Sequence, residues 1–161
     1  PDGYANTPAA MAGLERLKSY LQDNPPVNLH QRSMLLLGSL QHEGFMTSAE
    51  FQAVIDDLLA LQKPDGGWGI VSLGNWQRHD GKLDDKISSD GYGTGFSIYV
   101  LRQAGISADD PRIQKGISWL KSNQRESGRW FTRSQWEDSR HLLSRYGTSY
   151  AIRALVACGE R

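Results

Sequence analysis

Two stretches of this 161-residue chain share a spelling and a spacing. In "LLALQKPDGGWG" Gln62 is followed by Gly66 and Trp68, and in "SWLKSNQRESGRW" Gln124 is followed by Gly128 and Trp130. The second copy trails the first by 62 residues at the glutamine, the glycine and the tryptophan alike (62 to 124, 66 to 128, 68 to 130). A fixed offset of this size marks stacked supersecondary units, each unable to bury its apolar face alone. That narrows the choice of folds more than any composition does.

The segments around the repeats read as helices of two kinds. "FQAVIDDLLALQ" carries Phe51, Val54, Ile55, Leu58, Leu59 and Gln62 on one stripe, the three-and-four spacing of a helix with one buried face. Thr47 and Glu50 stand at its start in the spacing of a capping box. "PRIQKGISWLKSNQ" repeats the design with Ile113, Ile117, Leu120 and Gln124, with Asp110 as N-cap and Pro111 at the first helical position. "AAMAGLERLKSYLQ" reads as a third copy, its Gly13 and "LKS" echoing Gly116 and the later "LKS".

Between these lie "RSMLLLGSL" (32–40), "GFSIYVLRQAG" (95–105) and "YGTSYAIRALVACG" (146–159), apolar nearly all round and expected to be buried on both sides. Gly105 and Gly159 occupy C-terminal cap positions. One-faced and all-round helices alternate, so the expected fold is all-α: three helical hairpins with inner and outer layers in one domain spanning 1–161. The polar stretch from Ile70 to Gly91 is far longer than ordinary connections and is expected to be functional or mobile.

Eighteen basic and eighteen acidic residues cancel, so no nucleic acid is expected as a partner. No apolar run approaches the roughly 20 residues a transmembrane helix needs. A lone Cys158 supplies neither an internal disulfide nor a metal framework. The chain starts at Pro1, and a longer parent is expected.

The repeat resembles the QW motif of the terpenoid cyclase and protein prenyltransferase superfamily, the α/α toroids that include squalene-hopene cyclases. Lys115, Gly116, Trp119, Leu120, Gln124, Gly128 and Trp130 fill every position of that motif. The earlier copy keeps Leu58, Gln62, Gly66 and Trp68 but carries Ala53, Val54 and Asp57 at the basic, small and aromatic positions. The resemblance implies an α/α toroid-type array, here either a segment of a larger toroid or a small arc version, with an exposed apolar edge expected in both cases. It also implies that the motif residues clasp hairpins together and do no chemistry: the glutamine amide bonds backbone groups at neighbouring helix ends while the tryptophan folds back.

Reacting groups have to be sought separately from the fold. The Asp-x-Asp-Asp run of squalene-hopene cyclases does not occur in these residues, which leaves isomerase-like activity without its acid. Asp56 and Asp57 read as solvated helix residues, and Asp80, Asp84 and Asp85 as loop carboxylates. Matched to the zinc ligands of prenyltransferases, Asp90 stands at the aspartate, Tyr92 replaces the cysteine and Gly147 replaces the histidine. Neither a metal nor another cofactor is expected. The candidate ligand-binding residues are Asp90, Tyr92, Tyr99, Tyr146 and Tyr150 at the starts of two inner helices, with His141 ahead of the last one. The expected partner is an apolar small molecule, such as an isoprenoid, or the remainder of the parent protein. The alternative reading is a noncatalytic helical-repeat module that binds a ligand or a protein.

Overall fold

In a computed structural model, residues 3–160 are described, and every regular element among them is helical. After a 3-10 turn at Tyr4–Asn6, the helices are α1 (Pro8–Asp23), α2 (Leu29–Ser39), α3 (Ser48–Ala60), α4 (Gly91–Gln103), α5 (Pro111–Ser122) and α6 (Leu142–Ala157). A second 3-10 turn, Ile70–Leu73, opens the long loop before α4. The boundaries follow local chemistry. Thr47 and Glu50 form the full capping box of α3, and Asp110 caps α5 with Pro111 behind it. Gly105 and Gly159 take φ of 93° and 76°. Beyond them Ile106 N donates to Leu101 O and Glu160 N to Leu155 O, both at 3.0 Å, satisfying carbonyls left free at the ends of α4 and α6.

The helices pack as an arc of hairpins. Central α4 touches α2, α3, α5 and α6, while α3 also packs on α2 and α5 on α6. Only α4 is buried nearly throughout. The other two all-round apolar segments depart from the expectation of two-sided burial. In α2 only Leu29, Ser33 and Leu36 are buried, and α6 buries Ser144, Gly147, Ala151 and Ala154 while exposing Leu142, Tyr146, Ile152 and Val156. Among the described residues each has an inner-layer neighbour, α4, on one side only. No residue of α1 is fully buried. Asp57 is not merely solvated, since it pairs with Arg32 of α2 at 2.8 Å.

Glycine sets the tightest contact, between α4 and α6. A Cβ at Gly95 would stand 2.5 Å from Ala151 N, and one at Gly147 2.9 Å from Tyr92 N, so the two backbones meet directly.

The repeated motif folds the same way twice. Trp68 Nε1 donates to Leu58 O and Trp130 Nε1 to Leu120 O, each at 2.7 Å. Gly66 and Gly128 turn the chain back at φ of 88° and 76°. The glutamines lie just past their helices, not in the last turn as the pattern suggests. From there Gln62 Nε2 donates to Gly66 O at 2.8 Å, and Gln124 Nε2 to Gly128 O at 3.1 Å. Only Gln62 reaches a second hairpin, donating to Arg112 O of α5 at 2.7 Å. There Gly66 abuts Lys115, where an added Cβ would come within 2.9 Å, and Trp119 Nε1 donates to Asp65 Oδ2 at 3.0 Å.

Candidate functional site

The first turns of α2 and α4 bring His30 and Tyr92 together, with His30 Nε2 and the Tyr92 hydroxyl 2.8 Å apart. Asn28 caps α2 and Asp90 caps α4, and each aromatic residue follows its cap by two positions. Burial lowers the pKa of His30 and raises that of Tyr92, so imidazole and phenol both stay neutral. Which of the two donates is set by the imidazole tautomer. His30 stacks on Phe96 with centroids 4.6 Å apart and meets Trp76 edge-on at 5.8 Å. Trp76 is fixed by its Nε1, which donates to Ile70 O at 3.0 Å.

His30 and Tyr92, backed by the fully buried Phe96, form the inner end of a cavity of about 980 Å³. Ile70 and Trp76 bound it on one side, Trp136, Leu142 and Leu143 on another, and Ser139, Arg140, His141 and Arg145 stand around the rim. The walls belong to two loops, 70–90 and 131–141, and to the start of α6, and the loops are joined by backbone bonds from His79 N to Gln135 O and from Asp80 N to Trp136 O and by a polar cluster. The buried Arg78 donates from Nε to Asp80 Oδ1 at 2.9 Å and from Nη2 to Asp138 Oδ1 at 2.9 Å, and it also bonds Ser134 O. Lys82 and Arg133 each pair with Asp138 at 2.8 Å, and His79 stacks on Trp136 at 3.9 Å. The long loop is thus a docked wall.

Hydrogen bonds from Arg78 hold the Asp80 carboxyl below its usual range, and those from Arg133 and Lys82 do so for Asp138. Carboxylates with depressed folded pKa values stabilise above the unfolded value of about 4, and that contribution disappears as pH falls through the folded values.

Of the residues singled out in the sequence, Tyr92 and His141 line the cavity. Tyr150 lies behind Tyr92, edge-on to it at 5.3 Å, and Tyr99 packs on Tyr150 at 6.0 Å with Arg153 over its outer face. Tyr146 is exposed on α6 and is not part of the lining. Asp90 borders a separate recess of about 180 Å³. Its Oδ1 accepts from Gly93 N at 2.8 Å and from the Thr132 hydroxyl at 3.0 Å, and its Oδ2 accepts from Ile70 N at 2.7 Å. Desolvation raises its pKa against the pull of those bonds. The carboxylate thereby joins α4 to the segments that follow both tryptophans.

Asp90, Tyr92 and Gly147 do converge, as the prenyltransferase matching implies, but they offer one carboxylate, a phenol and no third donor. Among the described residues, no three His, Cys, Asp or Glu side chains are grouped to hold a metal. No helix among them is long and apolar enough to cross a membrane.

Sequence reasoning missed His30, Trp76 and Trp136. His30 had a signal, since it precedes Tyr92 by the same 62 residues that separate the two glutamines. The two tryptophans lie in irregular loops and share no such offset.

Comparison with known proteins adds the lineage. Residues 27–160 match the family described as squalene-hopene cyclase C-terminal domain. Squalene-hopene cyclases of Bradyrhizobium diazoefficiens and Zymomonas mobilis are each 29% identical over 148 residues, covering 87% of this chain and 20% of their own length. That of Schizosaccharomyces japonicus is 30% identical over 84 residues, covering 47% of this chain and 12% of its own. The chain therefore spans about a fifth of the length of the first two relatives. No solved structure matches it. On the strength of a match across most of its length, the chain belongs to the squalene-hopene cyclase C-terminal domain family, within the terpenoid cyclase superfamily.

Proposed function

We propose that this chain is a terpenoid cyclase-like repeat domain that binds an isoprenoid, or a similarly long apolar molecule, in the cavity between its inner helices and the two docked loops. One observation carries the reading: an aromatic-walled cavity of about 980 Å³ ends on a neutral His30–Tyr92 pair. Its size falls at the upper end of the roughly 300–1,000 Å³ usual for ligand sites, and its apolar walls with few polar groups follow their general pattern. The relatives carry squalene in their names, which agrees with an extended apolar ligand. These residues are read as binding the molecule without transforming it. The carboxylate at the inner-helix starts, Asp90, is engaged in three structural hydrogen bonds, and the Asp-x-Asp-Asp run is absent from the sequence. Within this reading Tyr92 forms the deep wall and His141 the rim, while Tyr99 and Tyr150 back the wall.

Titration with squalene and with geranylgeraniol, followed by tryptophan fluorescence, tests the proposal. Saturable quenching is expected, weakened at least tenfold in Trp76→Ala and preserved in Trp119→Phe, which lies in the outer layer. If the folded protein shows no saturable change with either molecule, the proposal fails.

A protein-binding module is the second reading, favoured by the exposed Leu142, Tyr146, Ile152 and Val156 of α6. Its mark would be association abolished by Ile152→Asp with isoprenoid binding unaffected.

A further inference from the structure

The rim of the cavity differs from its depths in charge. The rim carries Arg140, Arg145 and His141, and no carboxylate lines the cavity. The chain as a whole carries equal numbers of acidic and basic residues, so this bias is local. Arg145 is exposed and makes no ion pair or hydrogen bond among the described residues. Arg140 pairs only with Glu137, at 3.0 Å, across an open surface where both side chains are well exposed. Such a pair contributes little and exchanges readily for another anion. Asp138, beside Glu137 in the sequence, is paired with Arg78, Lys82 and Arg133. Ser139, also in the lining, donates its hydroxyl to the same Glu137 carboxylate at 2.8 Å.

The deep end is of the opposite kind. His30 and Tyr92 are neutral and spend their hydrogen bond on each other, and Ile70, Trp76 and Trp136 present apolar surface between them and the rim. A pure hydrocarbon would satisfy the depths and leave the arginines unused. A chain-like molecule with an anionic head satisfies both, because guanidinium groups bind phosphate and carboxylate through paired, charge-assisted hydrogen bonds.

We infer that the ligand of this cavity is an amphiphile: its phosphate or carboxylate head sits at the rim against Arg140 and Arg145, and its apolar tail runs inward past Trp136 and Trp76 to the His30–Tyr92 pair. The inference rests on the apolar-ligand reading above and adds the head group to it.

The test compares three C20 isoprenoids of equal tail length, an alcohol (geranylgeraniol), its monophosphate and the corresponding carboxylate. All are titrated below their micelle-forming concentrations into the intact chain, with tryptophan fluorescence as readout. At low salt at least one anionic probe is expected to bind about tenfold or more tighter than the alcohol, and the stronger of the two identifies the head group. The advantage should shrink in high salt. In Arg140→Gln/Arg145→Gln, with a melting temperature matched to the parent protein, the advantage of the anionic probe over the alcohol, both measured in that variant, should disappear. Arg145→Glu should weaken the anion further still. Equal affinity for alcohol and anions, or an advantage that survives the double substitution, overturns the head-group inference while the apolar-ligand reading stands. Failure of all three probes to bind overturns both.

Discussion

The two clasps have the same internal bonds and different neighbours. Around Trp68 and around Trp130 the indole, the glycine turn and the glutamine-to-turn bond match almost atom for atom. The first clasp is also pressed against α5, through Gln62 to Arg112, Gly66 to Lys115 and Asp65 to Trp119. The second meets nothing comparable: a Cβ added at Gly128 would have open space around it. One motif therefore does two separable jobs, closing its own hairpin and gripping the next. Only the first job is written entirely within the motif.

Substitutions at paired positions can break this comparison. The largest losses are expected at the indoles. Trp68→Ala should cost about 4 kcal/mol in denaturant unfolding and Trp130→Ala about 3, because both lose a buried ring and a hydrogen bond but only Trp68 also packs against Gly116 of α5. Equal losses would show that the neighbouring hairpin adds nothing. At the turns, alanine at either glycine meets the strain of a positive φ, about 1–2 kcal/mol. Gly66→Ala should exceed Gly128→Ala, since it also pushes on Lys115. The glutamines come next: Gln62→Ala should cost about 1–2 kcal/mol for two bonds, and Gln124→Ala about half as much for one. Smallest is Trp119→Phe, which removes only the exposed bond to Asp65 and should shift stability by about 0.5 kcal/mol or less. Combining it with Gln62→Ala in a double-mutant cycle would show whether the inter-hairpin bonds act together.

The fold was largely legible because its punctuation is local. Thr47 with Glu50, Asp110 with Pro111, and the glycines after α4 and α6 each act within a few residues, and a one-dimensional reading sees them. What it misjudged depends on position in the array. The segments of α2, α4 and α6 are all apolar nearly all round, yet only α4 has inner neighbours on both sides, and no pattern inside a helix reports where the arc ends. The candidate site was legible only in part for a related reason. Tyr92 and His141 sit at helix starts, where periodicity points inward, and both line the cavity. Trp76, Trp136 and the Arg78 tie lie in loops whose paths are set by contacts between residues some 60 apart, as from Arg78 to Asp138. Asp90 has the residue type of an acid and the location of a cap, and composition cannot separate the two.

The glycine contact between α4 and α6 also bears on how such a cavity can change over generations. With Gly95 against Ala151 and Gly147 against Tyr92, the helix ends that carry the deep wall are already at backbone contact. They cannot be drawn closer, and any larger side chain there would prise the layer apart. Diversification is thereby channelled into the two loops, where Trp76, Trp136 and Arg140 can be exchanged without moving a helix. The framework is held rigid by residues with no side chain, and the freedom to vary the cavity lining resides in the segments that looked least structured.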